Sequence, residues 1–212
     1  MTLDIHNYSL KLRKNVLLEN AHLQFQPGAV NHILGKNGVG KSRLAKDLIL
    51  NLSGSIPHTI PSKITVISSY SNIPDDITAK VLLKILRRKF DINMMERLIS
   101  MLNIGNINEN ILIKNLSDGQ KQKLKLISFF LENKDIIILD EITNSLDKTT
   151  VNEIHQFLIS YMEENSNKVI LNITHNLSDL NNIEGRYYLF RNRKIIMFES
   201  KEEIIKQYVE EM

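Results

Sequence analysis

Cysteine and tryptophan are absent from the 212 residues, and proline and glycine are scarce, at 4 and 8. Without cysteine there can be no disulfide and no thiolate metal site, which agrees with a reducing compartment. No Pro/Gly-rich linker, low-complexity tract or internal repeat divides the chain, so one compact unit is expected. No apolar run approaches the roughly 18 residues needed to cross a bilayer. Val81 to Leu86 and Leu124 to Leu131 come nearest, and lysine interrupts both. Any membrane connection is therefore expected through a separate chain. The opening MTLDIHNYS lacks the charged start and apolar stretch of a signal peptide, which points to the cytoplasm. A strong excess of one charge is missing too. The net charge is +3, with lysines spread among acids, and this argues against a nucleic-acid partner. What is present, 42% hydrophobic and 24% charged residues, is the balance of a globular domain with a sizeable core.

The N-terminal third reads as strands. Leu3 to Leu12 and Val16 to Phe25 alternate loosely, Gln26-Pro27-Gly28 turns the chain, and Val30 to Leu34 is a short strand. A helix is expected over Ser42 to Leu52 and a buried strand over Ile64 to Ile67. From about Thr78 to Phe130 the period becomes helical, with Val81, Leu82, Ile85 and Leu86 on one face and Met95, Leu98, Ile99 and Leu102 on another. Strands over Ile136 to Leu139 and Val169 to Ile173 then alternate with helices over Thr149 to Met162 and Leu177 to Asn181. Two strands, Tyr187 to Phe190 and Lys194 to Phe198, and a helix from Lys201 to Val209 close the chain. The pattern predicts an α/β fold: a core with a mainly parallel sheet, an N-terminal antiparallel β part and a small α-helical insertion. One domain is expected over 1–212, its core at about 1–70 and 126–212 and its helical subdomain at about 71–125.

Residues 35 to 42 read GKNGVGKS and fit G-x-x-x-x-G-K-[ST] in full, between a predicted strand and a predicted helix. A triphosphate needs many short N–H contacts, so the backbone must curl around it, and side chains at Gly35, Gly38 and Gly40 would obstruct that approach. Lys36, Asn37 and Val39 fill the loop, Lys41 can bridge phosphates as a point charge, and the Ser42 hydroxyl can reach a metal ion. Arg43 follows in the first helical turn, whose free N–H groups favour an anion.

Further motifs narrow the class. Residues 116 to 120 read LSDGQ ahead of a helical run; 136 to 141 read IIILDE; NSLD follows at 144 to 147 and THN at 174 to 176. In order and spacing these resemble the ABC ATPase family along the whole chain, LSDGQ being similar to its LSGGQ signature. The resemblance implies a transporter subunit that binds and hydrolyses ATP with Mg²⁺. Asp140 would hold Mg²⁺ beside Ser42, Glu141 would act as general base, and His175 would contact the γ-phosphate. Ser117, Gly119 and Gln120 would meet an ATP held by the opposite protomer, which implies a homodimer or a heterodimer with a related ATPase. Asp147 would meet the opposing phosphate loop, although SLD is also a plain helix N-cap. A separate transmembrane permease would complete the machine on the inner face of the membrane. The alternative within the same family is a soluble ATPase that remodels a non-membrane partner. Lys114, Lys121, Lys123 and Lys125 read as a solvated face.

The chain departs from the family pattern at several places. The adenine-stacking aromatic aligns with Leu12, with Tyr8 four residues earlier, so base binding is expected to be weaker and less selective. Ser69 falls where the family carries a glutamine that touches Mg²⁺ and water. Asp118 replaces a signature glycine, and its charge must point away from the phosphate. Asn192-Arg193 stands for the glycine between the last two strands, a position asparagine tolerates.

Overall fold

The computed structural model describes residues 2–210. Strands β1 (Leu3–Leu12) and β2 (Asn15–Phe25) pair antiparallel as a sheet of their own. Leu3, Ile5, Tyr8, Leu10, Leu18, Leu23 and Phe25 turn inward, and polar residues alternate outward. A six-stranded sheet follows, built from β3 (Val30–Leu34), β4 (Ile64–Ile67), β5 (Ile136–Asp140), β6 (Val169–Ile173), β7 (Gly185–Arg191) and β8 (Lys194–Phe198). Its order is β4-β5-β6-β3-β7-β8, parallel throughout except for β8. The helices are α1 (Lys41–Leu50), α2 (Ala79–Lys89), α3 (Ile92–Met101), α4 (Asp118–Phe130), α5 (Lys148–Glu164), α6 (Leu177–Asn182) and α7 (Lys201–Glu210).

The central strands are apolar without alternation because both faces of the sheet are covered. Ile136, Ile138, Val169, Leu171 and Ile173 pack with Leu44, Ala45 and Leu48 of α1 and with the inner face of β1–β2. Ile137, Leu139 and Ile170 point the other way, into a core shared by α4, α5 and the α2–α3 region. Phe130, Phe157 and Tyr161 meet there edge to face, with the Phe130 ring 4.8 and 4.7 Å from the other two. A smaller cluster joins Leu34, Leu180, Leu189, Ile204 and Tyr208, seating α6 and α7 on the sheet.

Two expectations are corrected. Helix α2 buries Ala79, Leu82, Leu83 and Leu86, whereas Val81 and Ile85 are 43% and 50% exposed. Six of its positions are apolar, and at 3.6 residues per turn 79, 82, 83 and 86 form one stripe that leaves 81 and 85 off it. The lysines of α4 are not all solvated. Lys123 is buried against Glu153 at 2.7 Å, and Lys125 donates to the Ser68 carbonyl. Asn192 and Arg193, both at positive φ (47° and 59°), form the two-residue β7–β8 turn that the right-handed twist of the strands favours.

Candidate functional site

The site lies where β3, β5 and β6 end, the crevice in which open parallel sheets take ligands. The loop from Gly35 to Gly40 leaves β3 and opens α1. Its glycines are needed for different reasons. Gly38 and Gly40 have φ of +82° and +118°, a backbone that side chains rarely adopt. A Cβ on Gly35 would stand 2.8 Å from the Phe190 carbonyl oxygen. Lys36, Asn37 and Gly38 form the exposed crest, and Val39 donates back to the Lys36 carbonyl at 3.3 Å.

Lys41 is almost fully buried, and its Nζ donates to the Gly35 carbonyl at 2.6 Å and to that of Lys36 at 3.2 Å. Burial lowers its pKa, while Glu141 and Asp140 act to raise it. One residue on, Ser42 Oγ donates to Asp140 Oδ1 at 3.1 Å. Arg43 is half-buried, and its Nε has no hydrogen-bond partner. Asp140, at the end of β5, is 3% exposed. Burial pushes its carboxyl above the usual carboxylate range, and Glu141 adds to this, against the Ser42 and Tyr70 hydrogen bonds and the Lys41 charge. A buried carboxylate short of positive charge, beside a hydroxyl, is an all-oxygen donor set suited to a hard cation.

Glu141 sits at φ +57°, an unusual conformation for glutamate. Its N–H donates to the Ile173 carbonyl at 2.9 Å, which anchors the strained residue on the end of β6. Glu141 Oε1 faces His175 Nδ1 at 3.1 Å, and Oε2 accepts from Asn144 Nδ2 at 2.9 Å. The carboxylate is thus gripped from both sides. Behind it, Thr143 Oγ1 donates to the buried Asp179, which also meets His155 Nε2 at 2.9 Å and Asn172 Nδ2 at 3.4 Å. This network ties the Glu141 turn to α5, α6 and β6.

The other residues singled out in the sequence lie as follows. Ser117 caps α4 in a reciprocal box: its hydroxyl accepts from the Gln120 N–H, and its own N–H donates to Gln120 Oε1. Gly119 is buried against Thr150 of α5, where a Cβ would clash. None of these contacts involves the phosphate loop. Asp118 projects outward, its side chain 82% exposed, with Lys121 at 3.7 Å. Asp147 caps α5 and accepts from the Thr150 N–H and hydroxyl, bonds that hold its carboxyl below the usual range. Leu12 is 45% exposed at the tip of β1. Tyr8 is fully buried, and its hydroxyl donates to Asp47 at 2.6 Å, so it is committed to the core rather than to a ligand. Ser69 is exposed, and it is the neighbouring Tyr70 whose hydroxyl donates to Asp140 Oδ2 at 3.3 Å.

Tyr70 and Asn144 are the two contacts to the carboxylate pair that sequence reasoning missed. Asn144 could have been found from the turn Glu141 starts, which brings residue 144 back over it. Tyr70 carried no such signal, because only the three-dimensional approach of the β4 and β5 ends places it.

Sheet order, phosphate loop and carboxylate pair define a phosphate-loop ATPase, and the profile of the ABC transporter family matches residues 18–144. The chain belongs to the ABC transporter family, as an ATP-binding subunit that hydrolyses ATP and works with a membrane permease. It is 53% identical over 209 residues to the "Probable peptide export ATP-binding protein YydI" of Bacillus subtilis (strain 168), covering 99% of this chain and all of that protein. It is 30% identical over 181 residues to the "Zinc import ATP-binding protein ZnuC" of Rickettsia bellii, covering 82% of this chain and 76% of that one. A solved ATP-binding subunit of an ABC transporter superposes with a TM-score of 0.77 at 18% identity, over 99% of this chain and 94% of that one. A bacterial Atm1-family exporter with ATP bound gives 0.78 at 16% identity, this chain matching 41% of that longer one. Among the described residues no helix is long and apolar enough to cross a membrane.

Proposed function

We propose that this subunit drives export of a peptide through a separately encoded permease, hydrolysing ATP with Mg²⁺ between two ABC subunits at the inner face of the membrane. The observation that carries the cargo class is the 53% identity to the probable peptide-export protein, which extends over the full length of both chains. The geometry supports the chemistry. The loop N–H groups and Lys41 bind the phosphates, and the Lys41 charge is already held over the loop. Ser42 and Asp140 would hold Mg²⁺, which would supply charge neutralisation to the phosphate oxygens. Glu141 takes the proton of the attacking water, with His175 and Asn144 fixing both of its oxygens. Tyr70, rather than Ser69, steadies Asp140 from the loop after β4. Ser117, Gly119 and Gln120 present the start of α4 to the partner subunit's ATP.

The test is reconstitution in lipid vesicles with a candidate permease sought among the neighbouring genes. ATP-dependent movement of a peptide, lost with Glu141→Gln, is the expected result. Turnover that responds to a metal ion or another small cargo but to no peptide would overturn the cargo class.

A further inference from the structure

The outer face of the β1–β2 sheet carries a cluster that the nucleotide site does not use. Asp4 and His6 are two residues apart on β1, so they project to the same side. The register Asp4 to Gln24 and Ile5 to Leu23 brings His22 of β2 against them. His22 Nε2 stands 2.7 Å from Asp4 Oδ1, and His6 Nε2 stands 3.3 Å from the same oxygen. The two imidazoles stack with centroids 4.1 Å apart and planes 21° from parallel. All three potential ligand atoms lie within 4.8 Å of one another.

We propose that Asp4, His6 and His22 bind a single Zn²⁺ ion, with its fourth position open. Zn²⁺ bonds of about 2.0–2.2 Å in a tetrahedron separate neighbouring ligand atoms by about 3.4 Å. The two histidine nitrogens stand 2.7 and 3.3 Å from Asp4 Oδ1, at or under that value, and exposed side chains need only small rotations to close on an ion. Strand pairing fixes the backbone at Asp4 and Ile5, next to the register shift that His6 enters, so most of the ordering is in place before an ion binds. Two imidazoles with one carboxylate select a borderline transition ion. A hard ion such as Mg²⁺ prefers oxygen donors alone, which separates this cluster chemically from Ser42 and Asp140. A bound ion would staple β1 to β2 in a sheet that shares no strand pairing with the six-stranded one. The competing account is a surface carboxylate shared by two histidines, which contributes little to stability and binds nothing.

Zn²⁺ titrated calorimetrically into the metal-stripped full chain, without nucleotide, decides between them. The wild type is expected to take one equivalent, undisturbed by millimolar Mg²⁺, and to melt at a higher temperature when loaded. The double variant His6→Ala/His22→Ala should bind at least about tenfold more weakly and show no Zn²⁺-dependent shift in melting. Both side chains are exposed, at 68% and 47%, so the variant should fold, with circular dichroism as the check. His175→Ala should keep the binding, which separates the cluster from the Glu141–His175 pair. Absence of a saturable equivalent in the wild type, undiminished affinity in the double variant, or loss of binding in His175→Ala would each overturn the assignment.

Discussion

Leu12 and Tyr70 are the residues where single substitutions are most informative. Leu12 stands exposed at the hairpin tip, and Tyr8 is sealed into the core by its bond to Asp47. Leu12→Tyr should therefore tighten ATP binding, by up to about 1–3 kcal/mol, and raise the preference for ATP over other triphosphates. Nucleotide titrations with ATP and GTP check this, and unchanged affinity would mean the base is held elsewhere. Tyr70→Phe removes one hydrogen bond to Asp140 and leaves the ring in place. A bond of about 1 kcal/mol predicts roughly a fivefold fall in kcat, with little change in affinity for metal-free ATP. A fall in metal-free affinity instead would assign Tyr70 to the binding of nucleotide. The motif position pointed to Ser69, because spacing along the chain does not reveal which of two neighbours reaches Asp140.

At the scale of elements, the strands were legible from composition, because runs such as Ile136–Asp140 have no polar side to present to water. Helix positions were legible too, through the helical period from Thr78 onward and the SLD cap at Asp147. The buried side of α2 was not, because a helix apolar on most faces leaves the choice to its neighbours. The buried Lys123 and half-buried Lys125 of α4 escaped for a related reason: their partners, Glu153 and the Ser68 carbonyl, lie far away in sequence. The Asp179 network was equally invisible, yet it joins Thr143, His155 and Asn172 from three elements. Asp179→Ala strands those buried donors and should lower stability by about 3 kcal/mol or more. It should also slow hydrolysis, because the Glu141 turn loses its tie through Thr143. Urea midpoints and turnover measured together check this, and intact turnover in the folded variant would exclude a link to the site.

For the whole molecule, two responses follow, one to pH and one to nucleotide. Burial lowers the pKa of His32 from 6.5 to about 4, against the pull of Asp179 and the Ile183 carbonyl. The unfolded chain binds a proton there that the native state refuses, so this stabilisation is complete above about pH 6.5 and is lost as pH falls toward 4. Through His32 alone, urea unfolding should lose up to about 1.4 kcal/mol per pH unit inside that window. Asp140, whose carboxyl is raised by burial, acts in the opposite sense in both proteins, so the readout is the difference in slope between the wild type and His32→Gln. Asp179 does not confound the test. Burial would raise its pKa, but the His155, Thr174 and Asn172 bonds outweigh it and hold it below 3.8. Its contribution is therefore lost only at lower pH. The response to nucleotide depends on Glu141. Glu141→Gln keeps the side chain's size but cannot take a proton, so hydrolysis should fall by about 10²–10⁴-fold while ATP binding survives. If α4 completes the partner's site, size-exclusion runs with ATP and Mg²⁺ should then show an accumulating dimer. A variant that hydrolyses at the wild-type rate would remove Glu141 from the role of base.

Among the described residues, six of the ten non-glycine positions at positive φ are asparagine: Asn7, Asn20, Asn51, Asn103, Asn133 and Asn192. A chain with so few glycines has assigned its left-handed corners to a residue that tolerates them at modest cost. In a saturation mutagenesis scan these asparagines should therefore stand out as intolerant sites although none touches the nucleotide loop. Such a map would suggest extra binding surfaces that do not exist. Acceptance of glycine would tell the two kinds of sensitivity apart: the corners should take it readily, whereas Lys41 and Glu141 should accept nothing.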